Sequence, residues 1–219
     1  EFRRVLFRSR APQAWDLLGG PDAIDWTWVR VGHPDTGFTE HPAFGFGQTR
    51  GPWVDTAMAR TLITPSDTGV PVVEPGGGRD PLSGLSASHG TRVGTTINGH
   101  APRDGFWGVA PRVPLVPVRM TDSVWINHAQ REWAQAVDHL VRVAGVSVIN
   151  CSLGAFASTV RPEMRTAVNQ AYEAGVILCC AAGNIVADVV PPASLARTLA
   201  VGGTTREDRP WSGSAYGPQ

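Results

Sequence analysis

The segment Val148-Ile149-Asn150-Cys151-Ser152-Leu153-Gly154 decides the fold class, because a short apolar, β-branched run ends there in small and polar residues. Such a run is typical of a buried strand, predicted here over Val146–Asn150. A second predicted strand, Val176–Cys180, ends in the same way at Ala181-Ala182-Gly183-Asn184. The chain between the two strands has a helical apolar face, formed by Met164, Ala167, Val168 and Ala171. A strand–helix–strand unit of this kind predicts two parallel neighbouring strands.

The same alternation extends over most of the chain. Further strands are predicted at Val29–Gly32, Val113–Met120 and Leu199–Gly202, and a further helix has its apolar face at Trp133, Val137, Leu140, Val141 and Ala144. The pattern predicts a three-layer α/β fold, with a mainly parallel sheet and helices on both faces. The stretch 45–88 is rich in Gly and Pro and has no sustained period, so it is predicted to be a loop insertion. In such sheets ligands bind beyond the carboxyl ends of the strands.

Composition excludes several classes of protein. The 219 residues suffice for a folded domain, and 19 basic residues balance 19 acidic ones. This balance lacks the positive field of a nucleic-acid-binding protein. No apolar run reaches the roughly 18 residues of a membrane span. The composition therefore predicts a folded domain with no nucleic-acid partner and no membrane span.

Both ends of the chain bear on the domain limits. Residues 1–9, Glu-Phe-Arg-Arg-Val-Leu-Phe-Arg-Ser, resemble the translation of a sequencing adapter and are interpreted as a non-native scar. The other end stops in loop-like composition at Gln219. We therefore expect residues 10–219 to be one domain that is incomplete at its C-terminus.

Polar motifs stand where chemistry is expected. Asp35-Thr36-Gly37 follows the first predicted strand, and His89-Gly90-Thr91 opens a predicted helix that runs through Ile97. Ser152-Leu153-Gly154 and Asn184 follow two later strands. Each motif alone is common, but the order acid, histidine, Ser-Leu-Gly, asparagine is specific.

On these motifs, from about Trp28 to Pro218, the chain resembles the subtilisin-like serine proteases, or subtilases. The resemblance implies an endopeptidase with an Asp-His-Ser triad that cleaves an extended polypeptide. Asp35 would orient the imidazole of His89, which would act as general base and then as general acid. Asn184 would donate its side-chain amide to the oxyanion of the tetrahedral intermediate.

The resemblance also implies a substrate site. Ser152, Leu153 and Gly154 would pair with the substrate backbone in antiparallel fashion. Ala181, Ala182 and Gly183 would form a wall of the pocket for the side chain that precedes the cleaved bond. No cofactor and no metal ligand set is evident in the sequence; structural calcium and a secreted, extracellular location are implied by the resemblance alone.

The nucleophile of the family is absent from the chain. It lies in a Gly-Thr-Ser motif at the start of a later helix, and the resemblance places it beyond Gln219; Ser212 and Ser214 match the loop before it. The 219 residues alone are therefore expected to be inactive. The alternative is a non-catalytic subtilase-fold protein that binds peptides without cutting them, if the gene has no such serine.

Other features receive plainer interpretations. His33-Pro34 stands where the family has two apolar strand residues, and His33 is predicted to be structural. Asp67-Thr68-Gly69 repeats the motif at Asp35 and so resembles pepsin-like proteases, but no strand precedes it. The three cysteines are predicted to be buried free thiols, at Cys151, Cys179 and Cys180. The remaining histidines are predicted at the surface or as caps, at His41, His100, His128 and His139.

Overall fold

The fold is built around a parallel sheet. A computed structural model of the chain describes residues 9–63, 74–75, 80, 86–156, 160–184 and 186–217. Six parallel strands and one antiparallel edge strand form the main sheet, in the order β3-β2-β6-β1-β7-β8-β9. The strands are β1 Val31–Asp35, β2 Arg60–Thr61, β3 Glu74–Pro75, β6 Leu115–Arg119, β7 Val148–Cys151, β8 Ile177–Ala181 and β9 Leu199–Val201, and a separate hairpin pairs β4 His100–Ala101 with β5 Phe106–Trp107.

Helices cover both faces of the sheet. Besides the short α1, Ala11–Leu17, the helices are α2 His89–Asn98, α3 Gln130–Arg142 and α4 Pro162–Glu173. On one face Val116 and Ile149 pack with α3 and α4 in the larger core. On the other face Leu115 joins Phe44 in a second core, and α2 approaches so closely that a Cβ at Gly94 would lie 3.0 Å from both side chains. The predicted three-layer α/β fold is confirmed.

Strand β1 tolerates a proline in its interior. The N–H of Val31 donates to Pro114, and the carbonyl of Asp35 accepts from Met120, so alternate residues of β1 bond to β6. Pro34 faces the other neighbour, β7, whose pairing with β1 ends at Gly32. The missing N–H of proline therefore removes no bond of the ladder. This explains why β1 continues through Asp35, three residues beyond the predicted strand.

The other predicted strands and helices are observed within a few residues of their predicted positions, but the structure changes two predictions. Part of the predicted loop insertion is integral to the fold, because β2 joins the sheet and both Ala59 and Leu62 are buried. His100, predicted at the surface or as a cap, is buried between Trp53 and Trp107. Residues 1–8 and the motif at 67–69 lie outside the described residues. Among the described helices, none is long and apolar enough to cross a membrane.

Candidate active site

Asp35 and His89 meet at the carboxyl end of the central strand. Asp35 is the last residue of β1, and its side chain is fully buried. His89 is the first residue of α2, and its side chain is 21% exposed. The Nδ1 atom of His89 lies 2.7 Å from Oδ1 of Asp35, which also accepts a hydrogen bond of 2.7 Å from the N–H of Thr36. One imidazole nitrogen is thus held by a buried carboxylate.

The surroundings of Asp35 favour its ionised form. Burial raises the pKa of this carboxyl group, but the hydrogen bond from His89, the charges of His33 and His89, and the Thr36 N–H together bring the pKa below its ordinary value. An ionised carboxylate accepts hydrogen bonds and donates none. The Nδ1 atom of His89 is therefore the donor, and its Nε2 is left for other partners.

His33 approaches the same carboxylate from inside the fold. It is fully buried, and its Nε2 lies 3.0 Å from the carbonyl oxygen of Gly90 and 3.8 Å from Oδ2 of Asp35. Because a carbonyl only accepts, His33 donates its Nε2 proton to Gly90. The side chain therefore links β1 to the first turn of α2, which agrees with the structural role predicted for it.

A glycine is required at position 90 because α2 lies close to the loop that follows β1. A Cβ atom at this position would lie 2.2 Å from the carbonyl oxygen of Gly37 and 3.2 Å from Oδ1 of Asp35. Real Cβ atoms do not approach backbone atoms so closely. A residue without a side chain lets the helix that carries His89 reach the loop that follows Asp35.

The two predicted substrate-binding segments lie side by side. Cys151, the last residue of β7, pairs with Cys180 of β8, so Ser152-Leu153-Gly154 and the segment Ala181-Ala182-Gly183, which begins at the last residue of β8, are neighbours at the edge of the sheet. Val190 packs between them: its Cγ2 would lie 2.6 Å from a Cβ at Gly154 and 3.0 Å from one at Gly183. The Gly183 carbonyl accepts a hydrogen bond from Ala215. Both segments thus border one apolar side chain.

The backbone of Gly154 is already paired. Its N–H donates to Val124 over 3.1 Å, and its carbonyl accepts from Ile126 over 2.9 Å, so Trp125 forms a parallel bridge with Gly154. The ring of Trp125 stacks on Phe156 with 3.6 Å between centroids. Sequence reasoning missed this pairing, which leaves neither backbone group of Gly154 free for a peptide in this conformation.

Asn184 and the serines of the last segment lie near these loops. Asn184 is exposed and forms an antiparallel bridge with Ser214. The Ser214 hydroxyl accepts from the N–H of Gly203 and donates to the carbonyl of Ala215. The hydroxyl of Ser152 accepts from the side chain of Asn150. Ser152 and Ser214 therefore serve local contacts, and Ser214 bonds to the backbone of its own loop.

The described residues include possible metal ligands and three thiols. Among the described residues, no group of three or more His, Cys, Asp or Glu side chains could hold a metal ion. Cys151, Cys179 and Cys180 are free thiols, and Cys151 and Cys180 are buried. A hydrogen bond with Cys151 and burial raise the pKa of Cys180 well above its ordinary value. A raised pKa keeps the Cys180 thiol protonated at neutral pH and makes it a poor nucleophile. Cys179, predicted to be buried, is only half-buried.

Known proteins are similar to this chain in both sequence and structure. The Subtilase family model matches residues 29–219. An extracellular serine proteinase of Thermus sp. (strain Rt41A) is 36% identical over 156 residues, which cover 68% of this chain and 34% of the relative. Thermitase of Thermoactinomyces vulgaris is 27% identical over 219 residues, which cover 96% of this chain and 65% of thermitase.

A solved structure shares the fold. The prenylagaramide maturation protease PagA superposes with a TM-score of 0.64 at 23% identity, over 93% of this chain and 63% of PagA. The chain thus spans between 34% and 65% of the length of these three proteins. Because the family model matches from just before β1 to Gln219, the chain belongs to the subtilase family.

Proposed function

We propose that this chain is part of a serine endopeptidase of the subtilisin type, which hydrolyses peptide bonds through an Asp-His-Ser triad. The observation that carries the proposal is the distance of 2.7 Å between Nδ1 of His89 and Oδ1 of a fully buried Asp35. A structural histidine needs neither a buried anion at one nitrogen nor partial exposure of its ring. A general base needs both, because its second nitrogen must reach the substrate side.

In the proposed mechanism, Nε2 of His89 removes the proton of a serine hydroxyl as that oxygen attacks the peptide carbonyl. The imidazolium then donates this proton to the leaving amine. Asp35 stabilises the imidazolium and holds its tautomer, and the lowered pKa of Asp35 keeps the carboxylate charged at neutral pH. The amide of Asn184 stabilises the oxyanion, a contribution of about 3–4 kcal/mol where such donors have been removed.

The serine itself is proposed to lie in chain that follows Gln219. This agrees with the local engagement of the Ser152 and Ser214 hydroxyls. The 219 residues alone are therefore expected to have no peptidase activity. The substrate is proposed to be a polypeptide bound along Ser152-Leu153-Gly154, with a side chain directed towards Ala181-Ala182-Gly183. The extracellular relative from Thermus supports export of the protein.

Reaction with a fluorophosphonate probe tests this proposal. We expect a protein extended through the downstream coding sequence to be labelled at a serine in a Gly-Thr-Ser motif, because the probe reports an activated serine. The 219-residue chain, treated identically, should stay unlabelled. A stop codon or a substituted serine downstream would instead favour a peptide-binding subtilase-fold protein. Labelling of the 219-residue chain would show the nucleophile to be misassigned.

A further inference from the structure

Asp80 is a buried carboxylate that the mechanism does not use. Its side chain is 2% exposed, although aspartate is seldom buried without partners. One oxygen, Oδ1, accepts the hydroxyl of Thr36. The other, Oδ2, accepts both the N–H of Thr91 over 2.7 Å and its hydroxyl over 2.6 Å. Three donors therefore converge on one anion.

One threonine directly follows the strand that carries Asp35, and the other lies in the helix that carries His89. Thr36 follows Asp35 in the chain, and Thr91 is the third residue of α2, which begins at His89. The Thr36 hydroxyl, besides donating to Asp80, accepts the N–H of Gly90 over 2.9 Å. Asp80 and Thr36 together thus connect the end of β1 to the first turn of α2.

These contacts replace a cap that α2 lacks. The residue before the helix, Ser88, has a left-handed φ of 56° and makes no capping hydrogen bond with its side chain. The second and third N–H groups of a helix are those that a cap normally satisfies. Here Thr36 takes the second and Asp80 the third. An anion at this end of a helix also interacts favourably with the helix dipole.

We propose that Asp80, acting through Thr36 and Thr91, is a positioning residue for the Asp35–His89 pair. The inference rests on the function proposed above for that pair. Asp35 takes its place from β1 and His89 takes its place from the start of α2, so the clamp made by Asp80, Thr36 and Thr91 fixes the distance between them. Displacements of about 1 Å at such a pair can cost about 10²-fold in rate.

Matched substitutions at Thr36 test the clamp without changing its charge. Thr36→Val removes the hydroxyl with little change in volume, whereas Thr36→Ser keeps it. In the 219-residue chain, we expect NMR to show the low-field Nδ1 proton of His89 in the wild type and Thr36→Ser. In Thr36→Val the same proton should move upfield and exchange faster with water. Asp80→Asn should have the same effect as Thr36→Val.

A milder variant keeps the test possible if Thr36→Val or Asp80→Asn fails to fold. Thr91→Val removes the hydroxyl that donates to Asp80 and accepts from the N–H of Thr39, but it keeps the backbone N–H bond to Asp80 and leaves Thr36 in place, so it should give a smaller shift in the same direction. In the extended enzyme, Thr36→Val should lower kcat about 10- to 100-fold with little change in KM.

An unchanged Nδ1 proton in folded Thr36→Val and Asp80→Asn would overturn the proposal. Unfolding of all three variants by circular dichroism would do so too, because the clamp would then serve the fold alone. The NMR readout does not depend on catalysis. If the extended protein were not labelled by the fluorophosphonate but Thr36→Val still moved the proton, the proposed function would fail while the clamp stood.

Discussion

Gly90 is the residue at which the site leaves least room. The space for a Cβ is closed by the carbonyl oxygen of Gly37 at 2.2 Å, and backbone atoms cannot rotate away as a side chain can. For Gly90→Ala we therefore expect the free energy of unfolding to fall by about 1–3 kcal/mol, the usual cost of overpacking. The hydrogen bond between His89 and Asp35 should also weaken, because α2 must move away from β1. Its low-field proton should then move upfield in the NMR spectrum.

Urea unfolding checks this prediction, with Arg92→Ala as the control. Arg92 is exposed on the same helix, so its truncation should change the free energy of unfolding by no more than about 0.5 kcal/mol. Equal stability of Gly90→Ala and wild type would mean that there is room for a Cβ atom between α2 and the loop that follows Asp35.

Residues differ in how far the sequence reveals them. Asp35 and His89 stand in short motifs of recognisable order, so the sequence alone is enough to assign both. Asp80 cannot be assigned in this way, because it stands alone in a Gly- and Pro-rich stretch, and its partners Thr36 and Thr91 lie 44 and 11 residues away. A hydrogen bond between distant residues leaves no periodic pattern in either segment.

At the scale of elements, the segment Val124–Ile126 controls one edge of the proposed substrate site. Its two hydrogen bonds to Gly154 predict slow hydrogen–deuterium exchange of the Gly154 and Ile126 amides in the peptide-free chain. The stack of Trp125 on Phe156 adds to this contact. Trp125→Ala should therefore speed exchange of both amides, as NMR or mass spectrometry would report.

A distant amide provides the comparison. The N–H of Cys179, the middle residue of β8, should exchange slowly in both wild type and Trp125→Ala, because Cys179 pairs with β7 on one side and β9 on the other. Fast exchange of Gly154 in the wild type would show that this edge is open without substrate. The antiparallel pairing with a peptide inferred from Ser152-Leu153-Gly154 would then need no rearrangement.

Elements are predictable where local pattern decides them. The apolar faces of α3 and α4 and the runs of β7 and β8 are evident in the sequence, since packing on a sheet demands such spacing. Strand β2 has only two residues and joins the sheet through β6, far along the chain, so no local pattern marks it. The extension of β1 through Pro34 depends on which neighbour its missing N–H faces, and only the sheet order determines that.

In the molecule as a whole, we propose that Asp35 and His89 are catalytic partners at the carboxyl edge of the parallel sheet. The strand order places β1 between β6 and β7, and Asp35 is the last residue of β1. The segments that begin at Ser152 and Ala181 lie at the same edge of the sheet, where β7 and β8 end. This arrangement follows from parallel βαβ topology, because all carboxyl ends then meet at one edge.

The most direct measurement is kcat for peptide hydrolysis by the extended protein and its Asp35→Asn variant. Replacing the carboxylate with an amide keeps the shape but removes the charge and introduces an N–H donor that can face His89, so the tautomer of His89 is no longer selected. We predict a loss of about 10⁴-fold in kcat, as at other Asp-His-Ser sites, with the fold intact by circular dichroism. A folded Asp35→Asn variant with kcat within about tenfold of wild type would show that Asp35 is not the catalytic partner of His89.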